Sequence, residues 1–252
     1  MIAILSSAKT LDVSSPWTSP APTTPEFLDR AVTLAQRLQT HSSKQLRALL
    51  DVSDKIAALN AARFQQWRAP HTPDNAKPAL LAYRGDVYKG LRATEFTAED
   101  FAFAQRTLRV ISGLYGVLRP LDLIQPYRLE LAAALNGPSW TDLYAFWSAA
   151  VTRAIDRDSD GLIVNLASRE YSRVLAPAAL KARVLTLTFK QLRGGTPTMI
   201  PILAKRARGL AARFLVTRRV TDPERFKAFT DDGYRYAAAD SSADEWVFVR
   251  RG

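Results

Sequence analysis

The sequence predicts an α+β fold in which one mixed β-sheet is surrounded by helices. Short strand-like runs and amphipathic helical segments share the chain, and neither a phosphate-loop nor a dinucleotide glycine motif occurs. Leu162-Ile163-Val164 is a continuous apolar run, which is typical of a central strand covered on both faces. The composition is 47% hydrophobic and 23% charged without a break, so we expect a single domain over residues 1–252.

Capping signals predict the first three helices. Thr24-Pro25-Glu26 places a cap, a proline and an acid in the order that opens a helix, here over residues 25–39. Ser53 caps a second helix that reaches Trp67. Thr97-Ala98-Glu99-Asp100 resembles a capping box with the acid at its third helical position, and it opens a helix that we expect to run into the glycine turn described below.

Strands are predicted where β-branched, aromatic and other apolar residues run together between turn residues. The predicted strands cover residues 2–5, 79–83, 161–166, 183–190, 234–238 and 246–250. A turn at residues 240–244 joins the last two, which we expect to form a β-hairpin.

The segment LRVISGLYGVLRPLDLIQPYRLE, from Leu108 to Glu130, is the densest in glycine, charge and aromatic residues. Gly113 and Gly116 are flanked by apolar residues, as in a helix-hairpin-helix, whose glycine turn presents backbone N–H groups to a phosphate. We therefore predict a helix-hairpin-helix-like element near residues 98–125. The alternative is a helix that ends at Gly113 in a left-handed cap and is followed by a proline-stiffened loop.

The charge balance favours an anionic partner. Thirty-five basic residues against twenty-four acidic ones give a net charge of +11 and a pI near 10.1, a level at which nucleic-acid binding is a reasonable hypothesis. Residues 205–220 contain six of these cations and no acid: Lys205, Arg206, Arg208, Arg213, Arg218 and Arg219. On one helix they repel each other unless an anion meets them, although a purely solubilising role explains them equally well.

Several classes of function are excluded or disfavoured by composition. The absence of cysteine excludes disulfides, thiolate catalysis and cysteine-ligated clusters. Histidine occurs only at His41 and His71, in segments that we interpret as solvated and helix-flanking, so we predict no metal site and no cofactor. We find no apolar stretch long enough for a signal peptide or a membrane span, and we expect a monomer in the cytoplasm that does not bind membranes.

Eight motifs occur in one order along the chain. They are SSAKTLD at 6–12, SDKIAALNAARF at 53–64, YRGDVYKGL at 83–91, SGLYGVLRPLDLIQPYRLE at 112–130, YAFW at 144–147, NLASREY at 165–171, AKRARG at 204–209, and a closing pattern with Phe229, Gly233-Tyr234 and residues 246–250. With them the chain resembles the YaaA peroxide-stress family from end to end, departing from it at Ser7, where proline is expected. The resemblance implies survival under hydrogen peroxide, less available intracellular iron, and DNA binding through a helix-hairpin-helix element.

The polar residues of these motifs form the predicted site. The predicted DNA- or phosphate-binding residues are Lys9, Gly113, Gly116, Arg119, Arg128, Lys205, Arg206 and Arg208. Other predicted cleft residues are Asp12, Arg84, Tyr88, Asp122, Gln125, Tyr127, Asn165, Ser168 and Tyr171, and Lys9, Asp86, Glu130 and Glu170 are the acid–base candidates.

These residues support two hypotheses from different classes of function. The first is sequence-independent DNA binding in a cationic cleft. The second is an enzyme that acts on a small anionic or nucleotide-like substrate in the same cleft. A buried network of ion pairs that joins the loops is the structural alternative to both.

Overall fold

The computed structural model describes residues 1–251, which share one hydrophobic core as a single α+β domain. The strands are β1 (Ile2–Ser6), β2 (Thr10–Leu11), β3 (Lys77–Pro78), β4 (Tyr83–Arg84), β5 (Leu108–Ser112), β6 (Gly116–Leu118), β7 (Leu123–Ile124), β8 (Leu162–Asn165), β9 (Arg183–Arg193), β10 (Thr196–Thr198), β11 (Tyr234–Tyr236) and β12 (Glu245–Arg250). The α-helices are α1 (Leu28–Gln39), α2 (Ser43–Leu50), α3 (Asp54–Gln66), α4 (Ala79–Ala82), α5 (Asp86–Leu91), α6 (Ala98–Thr107), α7 (Leu143–Asp158), α8 (Arg169–Ser172) and α9 (Pro201–Thr217).

The main sheet is mixed, as predicted. It has eight strands in the order β11-β12-β9-β8-β1-β5-β6, with β10 added to β9. Strands β5, β1, β8, β9 and β12 run parallel, whereas β6, β10 and β11 are antiparallel additions. Ile163 and Val164 of β8 are fully buried, because a parallel strand inside such a sheet is covered on both faces.

The order of the strands creates a topological switch point at one edge of the sheet. From β1 the chain proceeds to β5 on one side, and β8 later takes the place on the other side of β1 before leading to β9. The connections that leave β1 and β8 therefore diverge from each other. In open α/β sheets, ligands bind outside the carboxyl ends of strands at such a switch point.

Of the three predicted helix caps, Thr97 is confirmed in full, Ser53 is confirmed in position, and Thr24 is wrong because Phe27 is the N-cap of α1. Thr97 Oγ1 accepts a hydrogen bond from Asp100 N at 3.2 Å, and Asp100 Oδ2 accepts one from Thr97 N at 3.1 Å, which completes the capping box of α6. Ser53 is the N-cap of α3, although its side chain makes no capping bond. Helix α1 begins at Leu28, three residues after the predicted start of 25. The last predicted pair of strands is also confirmed as a hairpin.

The predicted helix-hairpin-helix is wrong, because strands flank the glycine turn. Helix α6 ends at Thr107 and β5 begins at the next residue. β5 pairs with β1 in parallel and with β6 in antiparallel fashion, so that Gly113 to Tyr115 form the turn of a β-hairpin. The apolar residues around the glycines cover the sheet rather than the faces of two helices, and periodicity over so short a run does not separate the two cases.

The strand predicted over residues 79–83 is also wrong in most of its length. Ala79 to Ala82 form the short helix α4, and only Tyr83 belongs to a strand, β4. All four residues of α4 are buried. A continuous apolar run of this length suits a buried helical turn as well as a buried strand, so its sequence alone does not decide between them.

Helices α5 and α9 pack closely through glycine, and this contact brings α9 to the switch-point side of the sheet. A side chain on Gly90 would collide with the backbone of α9 at Arg206, and one on Gly209 would collide with the backbone of α5 at Val87. Tyr88 of α5 donates its hydroxyl proton to Ser6 O at the end of β1, at 2.9 Å. The strand end, α5 and α9 are thus connected through direct contacts.

Candidate functional site at the strand ends

Two serines join the loops that follow β1 and β8. Ser6 Oγ accepts a hydrogen bond from Ser168 N at 2.9 Å, and the Ser6 and Ser168 hydroxyls lie 3.3 Å apart. Asn165 Oδ1 accepts from Ala167 N at 3.0 Å, which turns the chain out of β8 towards Ser168. These local hydrogen bonds fix both loops at the topological switch point between β1 and β8.

A carboxylate shared by two cations lies at this edge. Glu130 Oε1 accepts from Lys9 Nζ at 3.2 Å and from Arg128 Nη2 at 3.1 Å. Glu130 is only 9% exposed, and its second oxygen, Oε2, has no hydrogen-bond partner within the described residues. Because a buried carboxylate oxygen without a donor is costly, this atom is suited to accept a hydrogen bond from a ligand.

Tyrosine side chains lie on the interior side of Glu130 and its two cations. The Tyr127 hydroxyl lies 2.6 Å from that of Tyr83 and 2.7 Å from Ser112 Oγ. Ser7 lies beside Tyr127 and Tyr171 and lowers the pKa of both phenols, although burial has the larger effect. Burial raises the pKa of Tyr83, Tyr127 and Tyr171, so these phenols act as neutral hydrogen-bonding groups. We call Ser6, Ser7, Lys9, Tyr127, Arg128, Glu130, Ser168 and Tyr171 the strand-end site.

Glu170 adds a second unpartnered carboxylate oxygen beside this site. It lies in the first turn of α8, directly after Ser168 and Arg169, and its Oε1 is buried without a partner among residues 1–251. Tyr144 of α7 donates a hydrogen bond to the Glu170 carbonyl oxygen at 3.0 Å, which fixes the backbone there. The strand-end site and Glu170 thus offer two free acceptor oxygens, of which Glu130 Oε2 belongs to a carboxylate that pairs with two cations.

Asp12 and Arg84 form a structural pair rather than a free binding group. The Asp12 carboxylate accepts hydrogen bonds from Ser15 and, at 2.8 Å, from Arg84 Nη2, and the short ladder of β2 and β4 holds the two segments together. The Ser15 hydrogen bonds, with a smaller contribution from Arg84, lower the pKa of Asp12. The predicted acid–base candidate Asp86 lies 3.5 Å from Lys89 on the solvent side of α5.

Arg119 and Asp122 hold the β6–β7 loop instead of entering the strand-end site. Asp122 is almost fully buried and accepts from Arg119 N, the Arg119 guanidinium and Thr23 Oγ1. Its pKa is raised because burial outweighs these bonds. Thr24 O is a further acceptor for Arg119. This pair fits the structural alternative of an ion-pair network.

The glycine turn presents no free backbone N–H groups to solvent. Gly113 and Gly116 are buried, and Ser112 Oγ accepts from Leu114 N at 3.2 Å and from Tyr115 N at 3.0 Å. Trp147 packs over Gly116 and donates its indole proton to Gly113 O at 2.8 Å. The turn is therefore a packing element, and we leave both glycines out of the proposed phosphate contacts.

The basic residues of α9 form a different group. Lys205 and Arg206 are exposed and Arg208 is half-buried, and within residues 1–251 no carboxylate lies in ion-pair distance of any of them. Further along the same segment, Arg213 pairs with Glu95 and Arg219 pairs with Asp100. Burial lowers the pKa of Arg208, as expected for a guanidinium that has no acidic partner.

Arg206 also lines a surface cavity of about 330 Å³ between α5 and α9. Lys89 and Arg92 contribute further positive charge to it, and Asp231 and Asp232 contribute negative charge from the opposite wall. Arg250 already pairs with Asp232 at 2.7 Å. The net field of this cavity is therefore positive, although weakly so.

Comparison with known proteins decides the family. A family model described as peroxide stress protein YaaA matches residues 1–240. The chain belongs to this family. A UPF0246 protein of Ralstonia pickettii (strain 12J) is 48% identical over 255 residues, which span 100% of this chain and 99% of that protein. UPF0246 proteins of Cupriavidus pinatubonensis and Ralstonia nicotianae are 45% and 46% identical, with the same coverage.

Membership in the YaaA family assigns a role in peroxide stress. It gives no substrate or partner, and the curated relatives carry only the UPF0246 designation. In the described part of the chain, no group of three or more His, Asp or Glu side chains is arranged to hold a metal ion. Over the same residues, no helix combines the length and the apolar character that a membrane span requires.

Sequence reasoning missed a polar network in the YaaA-family core. His71 was interpreted as a solvated loop residue, but it is 7% exposed and its Nε2 lies 2.9 Å from the Tyr115 hydroxyl. Gln125 Nε2 lies 3.0 Å from His71 Nδ1. Burial lowers the pKa of His71 to about 4. A signal existed in Tyr115 and Gln125, polar-tipped residues within apolar runs, which need partners when they are buried.

Proposed function

We propose that this YaaA-family protein acts in the peroxide-stress response by binding DNA, without base specificity, through the basic surface of α9. The observation that supports the proposal is the set of cations without carboxylate partners on α9, namely Lys205, Arg206 and Arg208. We further propose that it works as a cytoplasmic monomer without a bound cofactor.

The argument rests on which predicted phosphate-binding cations are already neutralised. Lys9 and Arg128 share Glu130, and Arg119 is held by Asp122. A cation that already pairs with an acid gains little from a phosphate, since the new contact replaces an existing one. The cations of α9 have no such competitor, so each phosphate contact adds attraction in full.

The net charge gives this surface long-range support. A charge of +11 attracts polyanions, and cations that neutralise DNA phosphates release the counterions condensed around the duplex. Ferrous ions are among the cations that such phosphates attract. We therefore propose that protein bound along DNA keeps iron away from it, which would limit the iron-driven damage that peroxide causes.

The test is the salt dependence of DNA affinity. Fluorescence anisotropy with labelled duplexes of unrelated sequence should give similar affinities that fall steeply with salt, with a log–log slope of about −0.9 for each phosphate contact. The variant Lys205→Ala/Arg206→Ala should flatten that slope by about 1.8. Both side chains are exposed, so folding should be unaffected.

A matched control is available on the helices α2 and α3. Lys44 and Lys55 are exposed and make no ion pair within the described residues, so Lys44→Ala/Lys55→Ala removes the same charge from a different surface. This control should retain the wild-type slope. If both double variants lose affinity equally, only net charge matters and α9 is not the binding surface. A wild-type slope near zero would refute DNA binding itself.

A second candidate function is an enzyme for a small anionic or nucleotide-like substrate at the strand-end site. The observation that favours it is the pair of unpartnered, buried oxygens, Glu130 Oε2 and Glu170 Oε1, the first of them on a carboxylate that contacts the exposed amine of Lys9. Ribose hydroxyls or base amines can donate to such oxygens, and the exposed amine of Lys9 can contact an anionic group without leaving Glu130. Lys9, Glu130 and Glu170 are then the candidate acid–base groups, whereas Asp86 pairs with Lys89 outside the strand-end site.

Calorimetric titration with nucleoside monophosphates tests this candidate. Glu170→Gln keeps the side-chain shape but replaces a charged acceptor, so it should weaken nucleotide binding several-fold while leaving the thermal midpoint unchanged. Glu99→Gln, an exposed acid on α6, is the control. Equal binding by wild type and Glu170→Gln would exclude Glu170 from the site, and no heat with any nucleotide would exclude this class of ligand.

A further inference from the structure

The oxidisable side chains of this protein are almost all aromatic. The chain has no cysteine and two methionines, against five tryptophans and eight tyrosines. In a protein of the peroxide-stress response, one-electron oxidants formed from peroxide meet these rings rather than thiols. The outcome of such an encounter depends on whether a tyrosine can release its proton as it loses an electron.

Tyr115 is buried and has a defined hydrogen-bond arrangement. Its hydroxyl oxygen accepts from Trp67 Nε1 at 3.0 Å and from Gln125 N at 3.0 Å. With both lone pairs used, the phenol proton must point to the remaining neighbour, His71 Nε2, at 2.9 Å. The geometry therefore sets one direction for that proton.

His71 is prepared to receive it. The Tyr115 proton needs the lone pair of His71 Nε2, so the neutral ring carries its own proton on Nδ1. Gln125 Nε2 lies 3.0 Å from Nδ1 but donates its two protons to Arg68 O at 2.6 Å and to Asn75 Oδ1 at 3.2 Å. Because burial lowers the pKa of His71 to about 4, the ring is neutral at physiological pH. The groups that surround it are uncharged: Trp67, Tyr115, Gln125 and Asn75.

We propose that Tyr115 and His71 form a proton-coupled redox site that takes up one oxidising equivalent from a hydroxyl-radical-class or ferryl-class oxidant. The oxidant gains one electron, the Tyr115 O–H bond breaks, and its proton forms a bond to His71 Nε2. The products are a neutral tyrosyl radical and an imidazolium. A one-electron reductant such as ascorbate then returns an electron to Tyr115 and the proton moves back, which restores the starting state.

A path of rings connects this pair with the strand-end site. The Tyr115 and Tyr127 rings meet edge to face, with centroids 5.4 Å apart. The hydroxyl of Tyr127 touches that of Tyr83, whose ring lies 5.1 Å from the ring of Tyr88. Tyr88 in turn bonds Ser6 O at the end of β1. Oxidation at the protein's polar edge can therefore reach Tyr115 through adjoining tyrosines.

Tyr234 provides an internal control of the opposite kind. It is 1% exposed and packs among Phe189, Phe229 and the side chain of Arg250, yet its hydroxyl has no hydrogen-bond partner within the described residues. Loss of an electron from Tyr234 would leave its proton without an acceptor. Burial alone therefore does not make a tyrosine redox-active, whereas a basic acceptor does.

The experiment uses the full-length protein with 3-fluorotyrosine at one chosen position, which keeps the phenol hydroxyl and the fold. Photogenerated tris(bipyridine)ruthenium(III) serves as the one-electron oxidant, and freeze-quenched samples are examined by electron paramagnetic resonance. The label at position 115 should add fluorine hyperfine splitting to the radical spectrum, and the label at position 234 should add none.

Two further measurements make the result decisive. His71→Phe removes the proton acceptor while Tyr115 remains, so the fluorine-split signal should fall at least several-fold, and circular dichroism checks that the variant is folded. Ascorbate should abolish the signal and restore wild-type protein on repeated flashes. A radical without splitting from position 115, equal splitting from position 234, or an undiminished signal in folded His71→Phe would each overturn the proposal.

Discussion

Gly116→Ala tests the structural role of the glycine turn, because the substitution adds one methyl group where the structure leaves no space. Gly116 has a φ of +72°, and a Cβ there would lie 2.6 Å from two ring carbons of Trp147. The indole that must move also donates the hydrogen bond to Gly113 O. If the turn existed to bind phosphate instead, Gly116→Ala would leave the stability of the protein almost unchanged.

The magnitude follows from three contributions. A left-handed backbone costs a non-glycine residue about 1–2 kcal/mol. Displacing Trp147 adds overpacking of about 1–3 kcal/mol, and weakening its hydrogen bond adds about 1 kcal/mol. The total is about 3–6 kcal/mol. In a domain of this size each kcal/mol lowers the thermal midpoint by about 2–4 °C, so Gly116→Ala should melt at least about 6 °C below wild type.

Gly161→Ala separates the backbone contribution from the packing contribution. Gly161 has a φ of +81°, but a Cβ there meets nothing within 4 Å. Its loss should therefore be only about 1–2 kcal/mol in urea unfolding monitored by tryptophan fluorescence. If Gly116→Ala costs no more than Gly161→Ala, the packing of the turn against Trp147 is wrong. DNA affinity of folded Gly116→Ala should match that of wild type.

Three other substitutions have defined outcomes. Thr97→Ala removes half of the α6 capping box and should lower the free energy of unfolding by about 1 kcal/mol in urea titrations; no change would mean that the box does not stabilise α6. Between pH 6.5 and about 4, an unfolded histidine binds a proton that folded His71 does not, so the unfolding free energy of wild type should fall as pH falls. His71→Gln should make the unfolding free energy depend less steeply on pH. The same pH dependence in both proteins would contradict the burial of a neutral His71 ring. Arg128→Ala leaves buried Glu130 with Lys9 alone and should lower the free energy of unfolding by about 3 kcal/mol. The double variant Arg128→Ala/Glu130→Gln should lose less stability. A larger loss in the double variant would refute the pairing of Arg128 with Glu130.

Local signals predicted most of the fold correctly. The α6 capping box spans four residues, and residues 237–244 connect the two strands of the terminal hairpin, so both are encoded in short stretches of the chain. The central position of β8 followed from its unbroken apolar run. The predictions for the glycine turn and for residues 79–82 were wrong because both conformations depend on the surrounding fold. The turn depends on β1 and Trp147, and residues 79–82 depend on their buried position.

The sequence predicted which residues belong to the site better than it predicted which of their side chains lie together. The motif residues after β1 and β8 do meet, because the carboxyl ends of parallel strands share one edge of the sheet. Sequence could not show which cations are neutralised, since Lys9 and Glu130 are far apart in the chain, as are Arg84 and Asp12. Nor could it show that His71 lies against Tyr115, because that contact depends on how the loop after α3 folds back.

Lysine footprinting is the most direct test of the claim that α9 carries the DNA-binding surface. The free protein and its complex with a duplex are acetylated briefly, and mass spectrometry measures the modification rate at each lysine. Lys205 should be protected at least several-fold by DNA, whereas Lys44 and Lys55 should react at unchanged rates. Protection of Lys44 and Lys55 with Lys205 unprotected would contradict the account.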